Sequence, residues 1–261
     1  MEHTPQDWKN YEDFAAGIDT NRLPCTEALA GKTFHVAWPE DTLSLEFGAD
    51  HALTWYSTDN PHSDWYETIE VAEHTYFIDI TFQSKPQEAL TLIVNTATRR
   101  VLGIRSRVRS QQEAGGEPRV AQDFLVGRIG PESLAVGGLE PAETRDLIGV
   151  RTLNVYSPRH TYEHIYLSST RYCWQCLVGE QRGHGDVDLA TSYKIAEGLY
   201  VFTFREFIIP VASVFVFNFT AGRSTGKFLG VTGAGAISNQ AAGSMIRKIS
   251  TTHYPSDAQP V

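Results

Sequence analysis

Between Tyr156 and Gly230 the chain carries side chains that could move a proton or grip a polar ligand: Tyr156, Tyr162, His164, Tyr172, Arg182, His184, Arg205 and Glu206. They sit among short aromatic and β-branched runs, so strand parity rather than helical spacing decides which of them meet. Alternate strand residues share a face, which puts Glu206 with Phe202 and Phe204 and opposite Val201, Thr203 and Arg205. A carboxylate on the inner face of a barrel is poorly solvated; its pKa rises and it can serve as a general acid or base near neutral pH. Glu206 is therefore the leading catalytic candidate, with Tyr156 and His164 as further acid–base or hydrogen-bonding groups. Tyr162, Tyr172 and Trp174 are expected to contact a substrate. Arg182 and His184, in the turn Arg182-Gly183-His184-Gly185-Asp186, could reach over a barrel mouth as an anion clamp. Each residue also has a plainer reading. Tyrosines are ordinary barrel core, turn residues are usually solvated, and Glu206 could slip outward to pair with Arg205.

Other patterns carry less chemistry. His160-Thr161-Tyr162-Glu163-His164 has the H-x-x-E-H spelling, which needs a helix to bring both histidines to one zinc. This segment follows Pro158 and reads as a strand, where four residues span roughly 13 Å, too far for ligands at ~2 Å from one metal. Cys173-Trp174-Gln175-Cys176 has redox spacing, but strand residues three apart face opposite ways, and the remaining cysteine is Cys25. Gly230-Val231-Thr232-Gly233-Ala234-Gly235 lacks the strand–helix context of a dinucleotide loop. No metal and no cofactor are expected.

The elements that position these residues follow from composition and period. The 261 residues, 41% hydrophobic and 20% charged, suffice for one large core or two of about half the size. A net charge of −9 repels phosphate backbones and argues against nucleic acid. The one basic cluster, Arg99 to Arg109, reads as a solvated strand edge. No apolar run reaches the ~18–20 residues of a membrane helix; Phe207 to Phe219 is shorter, holds Pro210 and reads as a buried strand. Charged residues among the first thirteen (Glu2, Asp7, Lys9, Glu12, Asp13) do not form a secretory signal, and three cysteines do not make a disulfide framework. A reduced, cytoplasmic setting is the default, with a small organic ligand or substrate as partner; a homodimer is compatible with the sequence.

Residues 5–17 predict a short helix, with Pro5 in its first turn, Gly17 as its stop, and Trp8, Tyr11, Phe14 and Ala15 near one stripe fit to plug an apolar opening. Period-two runs follow near 32–38, 42–48, 52–57, 65–72, 75–82, 89–96, 99–108 and 120–128, and again near 149–156, 161–168, 170–178, 187–195, 199–206, 211–219, 226–232 and 244–250. Turns such as Asp59-Asn60-Pro61 are too short for crossover helices, so neighbouring strands are antiparallel. The two series are copies. Leu29-Ala30-Gly31 matches Leu147-Ile148-Gly149 at an offset of 118, and Ile69 to Tyr76 matches Tyr193 to Tyr200 at 124. Eight antiparallel strands close a small barrel around one ligand. The expected fold is all-β: two lipocalin/calycin-like antiparallel barrels in tandem with a short N-terminal helix. The expected boundaries are 1–130 for the first barrel with its leading helix, 131–146 for a Pro/Gly/Glu-rich linker, and 147–261 for the second barrel with its tail. At the offset of 124, Glu206 falls on Phe82, so the second barrel is expected to carry the chemistry and the first to be structural or lid-like. His62, Asp64, Trp65, Tyr66 and Glu67 in the first copy, next to Pro61, are expected to be mostly exposed.

Tyr11 to Pro24, Tyr66 to Phe82 and above all Tyr162 to Gly230 resemble the MoaF family, named for molybdenum-cofactor biosynthesis protein F, whose members carry two calycin-like domains in one chain. The second half is also similar, more distantly, to bacterial phenolic acid decarboxylases, cofactor-free calycin barrels. Tyr156, Arg182 and Ala196-Glu197-Gly198-Leu199-Tyr200, followed by Thr203-Phe204-Arg205-Glu206, stand in the order of that family's first-strand tyrosines, turn arginine and catalytic glutamate. The sequence departs from it in having one first-strand tyrosine and Gln181-Arg182-Gly183-His184 at the turn. Together these imply a cofactor-independent lyase or isomerase acting on an aromatic or unsaturated organic acid. The alternative is a non-enzymatic lipocalin-like binding protein linked to molybdenum cofactor metabolism.

Overall fold

The computed structural model describes residues 8–57 and 60–261. Pro5, the expected start of the leading helix, and Asp59 of the Asp59-Asn60-Pro61 turn lie outside them. Alternating apolar and polar residues produce strands where the period predicts them. β1 (Thr33–Ala37), β2 (Thr42–Phe47), β3 (Ala52–Tyr56), β4 (His62–Ala72), β5 (Thr75–Thr81), β6 (Glu88–Asn95), β7 (Arg100–Val108) and β8 (Val120–Ile129) form a closed barrel in sequence order. Every step is antiparallel, and β1 returns to β8 through Val36 opposite Ile129. The short β9 (Ala142–Glu143) falls inside the segment expected to be a linker.

The second barrel repeats the circuit with β10 (Val150–Ser157), β11 (His160–Tyr166), β12 (Arg171–Val178), β13 (Gly185–Ala196), β14 (Leu199–Arg205), β15 (Val211–Asn218), β16 (Arg223–Val231) and β17 (Ile237–Thr251). Its closure pairs β10 with β17, the same first-to-last step as in the first copy. Short hairpin links make this order the simplest one, since each strand pairs with the next in sequence. The repeat extends to the turns. His74, between β4 and β5, has φ 58°, and Gly198, its equivalent between β13 and β14, has φ 70°. Both turns need the left-handed conformation that glycine adopts without strain.

Each barrel has its own core. In the first, Phe34, Phe47 and Tyr66 stack edge to face among aliphatic residues such as Ile78, Ile80 and Leu92. Tyr66 is 3% exposed, so it departs from the exposed cluster expected next to Pro61; its hydroxyl donates to the Gly48 carbonyl at 3.0 Å. In the second, Tyr166, Phe202, Phe215 and Phe217 form an aromatic interior. Pairs of this kind add about 0.5–1.5 kcal/mol each beyond their buried area.

Two helices are present among the described residues: α1 (Tyr11–Ala15) and α2 (Gln111–Ala114). The first is shorter than expected: it starts only at Tyr11, after an extended Asn10 whose N–H donates to Asp13, and it ends where Ala16 is extended and Gly17 turns to φ 86°. The sequence boundaries attach this helix to the first barrel. The structure groups the described residues up to Arg22, together with Val108–Ala121 and Glu143–Val261, in one compact unit, and Leu23–Arg107 with Gln122–Ala142 in the other. The stripe Tyr11, Phe14, Ala15 and Ile18 is buried in the aromatic core of the second barrel, which is the apolar surface that fits it. Among the described residues no helix is long and apolar enough to cross a membrane.

Candidate functional site

Strand parity assembles the site inside the second barrel. Tyr162 and His164 on β11, and Tyr172 and Trp174 on β12, lie two residues apart on inward faces. Tyr156 comes from β10 and Phe228 from β16. The inward alternation of β14 continues one residue past its end, so Glu206 follows Phe204 into the interior. Its backbone N–H donates to the Val211 carbonyl at 3.0 Å, which fixes the chain at that point. These residues, with Gln181 from the turn after β12 and Phe14 and Ile18 from the N-terminal segment, enclose a cavity of about 30 Å³. That is space for a water molecule or two and less than an aromatic ring needs.

The electrostatics are set by burial. Glu206 is 7% exposed, and among the described residues its carboxyl group has no hydrogen-bond donor. Desolvation raises its pKa well above the usual carboxylate range, and the nearby negative charges of Asp188 and Asp186 raise it further. Asp188, fully buried on β13, accepts from the Trp174 indole N–H at 3.0 Å and from the Phe207 backbone N–H at 3.1 Å. Burial outweighs those two bonds and pushes it up to about 7. Desolvation alone lowers His164 to about 3, so its imidazole is neutral, and its Nδ1 has no partner among the described residues. Burial also pushes up the phenols of Tyr156, Tyr162 and Tyr172, which keeps them as O–H donors. Tyr162 donates to Gln181 Oε1 at 2.8 Å, leaving Gln181 Nε2 buried without an acceptor among the described residues. An unpaired buried polar atom costs about 1–3 kcal/mol, so the cavity is better satisfied when something polar occupies it.

The N-terminal segment closes this cavity. Trp8 stacks on His184, with ring centroids 5.4 Å apart and planes 17° from parallel, and meets Trp174 edge-on at 5.7 Å. The Tyr11 hydroxyl donates to the Phe228 carbonyl at 3.3 Å, and Phe14 packs on the Phe228 ring. Glu12 accepts the Gly233 N–H with both oxygens, at 2.9 and 3.0 Å. The Gln240 side-chain amide donates to the Ala15 carbonyl at 2.7 Å.

Of the residues singled out from sequence, Glu206, Tyr156, His164, Tyr162, Tyr172 and Trp174 line the cavity. His184 lies under Trp8, outside that lining, and Arg182 is exposed on its turn. His160 and His164 stand on one strand, and Cys176 is buried while Cys173 faces the other way, partly exposed. Sequence reasoning missed Asp188, Gln181 and Ile18 as lining or supporting residues, and placed Phe14 in a plugging stripe without the barrel it plugs. Asp188 had a legible signal: it shares parity with Asp186 and Ala190 on a strand that must pair with the one leading to Glu206.

Two comparisons bear on the whole chain, and one structural likeness does not. A solved structure described as a putative beta-lactamase from Burkholderia vietnamiensis aligns over 41% of this chain and all of its own, at 15% identity and a TM-score of 0.35, too low to carry any argument. Protein MoaF of Klebsiella aerogenes is 31% identical over 245 residues, covering 91% of this chain and 90% of its own length. The MoaF N-terminal domain matches residues 6–110 and the MoaF C-terminal domain residues 141–252, each falling on one of the two barrel repeats. The chain belongs to the MoaF family.

Proposed function

We propose that the second barrel is a cofactor-independent acid–base site for a small aromatic or unsaturated organic molecule, with Glu206 moving the proton. The observation that carries the reading is a cavity-lining carboxylate without a hydrogen-bond donor among the described residues, next to a second buried carboxylate. A carboxyl group whose pKa is raised toward neutrality can take a proton from an activated C–H bond and return it elsewhere. The C–H bond breaks, its electron pair enters the adjacent unsaturated system, and Glu206 reprotonates the product, so an isomerisation balances without a co-reactant. Tyr156 and Tyr172 would donate hydrogen bonds to an oxygen that gains charge in the transition state. Neutral His164 would orient the ligand rather than titrate. An organic acid, the substrate class implied by family resemblance, would need a cation in the lining, and Arg182 is exposed on its turn. A ligand without a carboxylate suits this lining better.

A ring-sized molecule fits only when Phe14 and Ile18 withdraw, so substrate access goes with movement of the N-terminal segment. The aromatic walls and this closure also favour a second reading, a carrier that sequesters a ligand without changing it.

Proton transfer can be read without knowing the natural substrate. A panel of small unsaturated and aromatic compounds with acidic C–H bonds is incubated with protein in deuterium oxide, and isotope incorporation is followed by NMR. Exchange catalysed by wild type and lost in Glu206→Gln supports the enzyme reading. Binding with equal, uncatalysed exchange in both proteins leaves the carrier.

A further inference from the structure

We propose that the cavity of the second barrel selects an organic ammonium cation, its positive group against the Glu206 carboxylate and its carbon skeleton among the aromatic rings. The inference rests on the small-molecule reading above and narrows it to one charge class.

The walls and the floor point the same way. Tyr156, Tyr162, Tyr172 and Trp174 supply π-faces, whose negative quadrupole attracts cations and is strongest where water is excluded. Glu206 lies in that lining, with Asp188 behind it and Asp186 further along β13. Among the described residues no lysine or arginine lines the cavity. The basic residues of this region lie elsewhere: Arg205, which alternates with Glu206, donates to Thr191 Oγ1 and Thr203 Oγ1, and Arg171 lies over the Phe207 ring. Arg171 acts on Asp188, and among the described residues Glu206 has no lysine or arginine facing it from the cavity wall.

Charge class follows from that imbalance. An anion would add a like charge beside two carboxyl groups. A neutral ligand would leave Glu206 protonated. An ammonium group gives the carboxylate the partner it lacks, and Glu206 then gives up its proton. The groups that face Glu206 reinforce the preference: Asp186 and Asp188 from β13 are acidic, Tyr162 and Tyr172 from β11 and β12 stay as neutral phenols, and His164 from β11 is neutral. The unpartnered Nδ1 of His164 can accept an ammonium N–H in the tautomer that carries its proton on Nε2.

Three probes of one shape and different charge test this: benzylammonium, benzyl alcohol and benzoate. Titration calorimetry near neutral pH, in two buffers of different ionisation enthalpy, gives affinity and proton release together. The full chain and a Phe14→Ala variant, whose cavity is larger, are both used. The expected result is benzylammonium bound at least about tenfold more tightly than either analogue, an ion-pair difference of about 1.4 kcal/mol, with roughly one proton released per ligand. Glu206→Gln should lose the preference and the proton release while still binding benzyl alcohol. Benzyl alcohol or benzoate binding as tightly as the ammonium overturns the cation assignment and leaves the small-molecule reading standing. No binding of any probe by either folded protein overturns both.

Discussion

Asp188 and Glu206 are cross-strand neighbours at one end of the second barrel. Leu189 on β13 pairs with Arg205 on β14, so the next antiparallel step brings Asp188 opposite Glu206. Both carboxyl groups are buried, and that desolvation holds each above the usual carboxylate range, although the charge of Arg171 pulls Asp188 down in part. Two carboxyls so placed hold protons at a pH where solvated ones are ionised.

Stability should fall with rising pH for that reason. The folded chain holds Asp188 protonated up to about 7, whereas the unfolded chain loses that proton in the ordinary carboxylate range. The folded state thus binds more protons in between, and the stabilisation present below about pH 4 is lost as pH rises through about 7. Asp188→Asn removes this titration. By urea unfolding at about pH 5 and about pH 8, the variant should lose less stability than wild type across that interval, by up to about 3 kcal/mol. Glu206, raised in the same sense, keeps some slope in both proteins. At the lower pH the variant should be about 1 kcal/mol weaker, because asparagine offers one acceptor to two donors. Equal slopes would show that Asp188 does not titrate in this interval.

Phe14→Ala should enlarge the cavity toward the size of a ring at a cost of about 3 kcal/mol in unfolding free energy. Phe14 is buried against Tyr11 and Phe228, with ring centroids 5.6 and 6.4 Å away, so its removal leaves space that those neighbours fill only in part. Faster ligand association by stopped-flow tryptophan fluorescence is the expected gain. Unchanged association with full loss of stability would mean that ligands do not pass this segment.

Glu12→Ala should loosen the closure without unfolding the barrel. It deletes the carboxylate that holds the Gly233 N–H, a charge-assisted contact worth about 1–2 kcal/mol. Hydrogen exchange should accelerate at the amides of Asp13 and Ile18, which bond within the segment, while the amides of β14 and β15 keep their protection. Equal protection at all of these would place the restraint in the apolar contacts instead.

The twin hairpin turns make a paired prediction. His74 carries a side chain at φ 58°, so His74→Gly should stabilise by about 0.5–1 kcal/mol. Gly198→Ala should destabilise by about 1 kcal/mol or more, since φ is 70° and a Cβ would come within 3.0 Å of Thr220 Oγ1. Thermal unfolding of both variants checks the opposite signs.

The sequence by itself determined the strands and their order. Period-two patterning and short turns locate fifteen of the sixteen barrel strands to within about three residues of their observed ends, β17 starting seven residues before the expected run, and the internal repeat announces two barrels, because side-chain alternation is a local property that burial enforces. Parity also carried the inward direction of Tyr162, His164, Tyr172, Trp174 and Glu206 from sequence to site. Arg182 and His184 did not follow, because a turn has no period to say where its side chains go. The partner of Glu206 was decided by register, which set Asp188 across from it, and register depends on how the whole sheet closes. Only the tertiary structure decided which barrel the N-terminal segment seals. Its apolar stripe is legible in Trp8, Tyr11, Phe14 and Ala15, but an apolar stripe specifies burial and not address, and the second barrel's aromatic opening supplied the address.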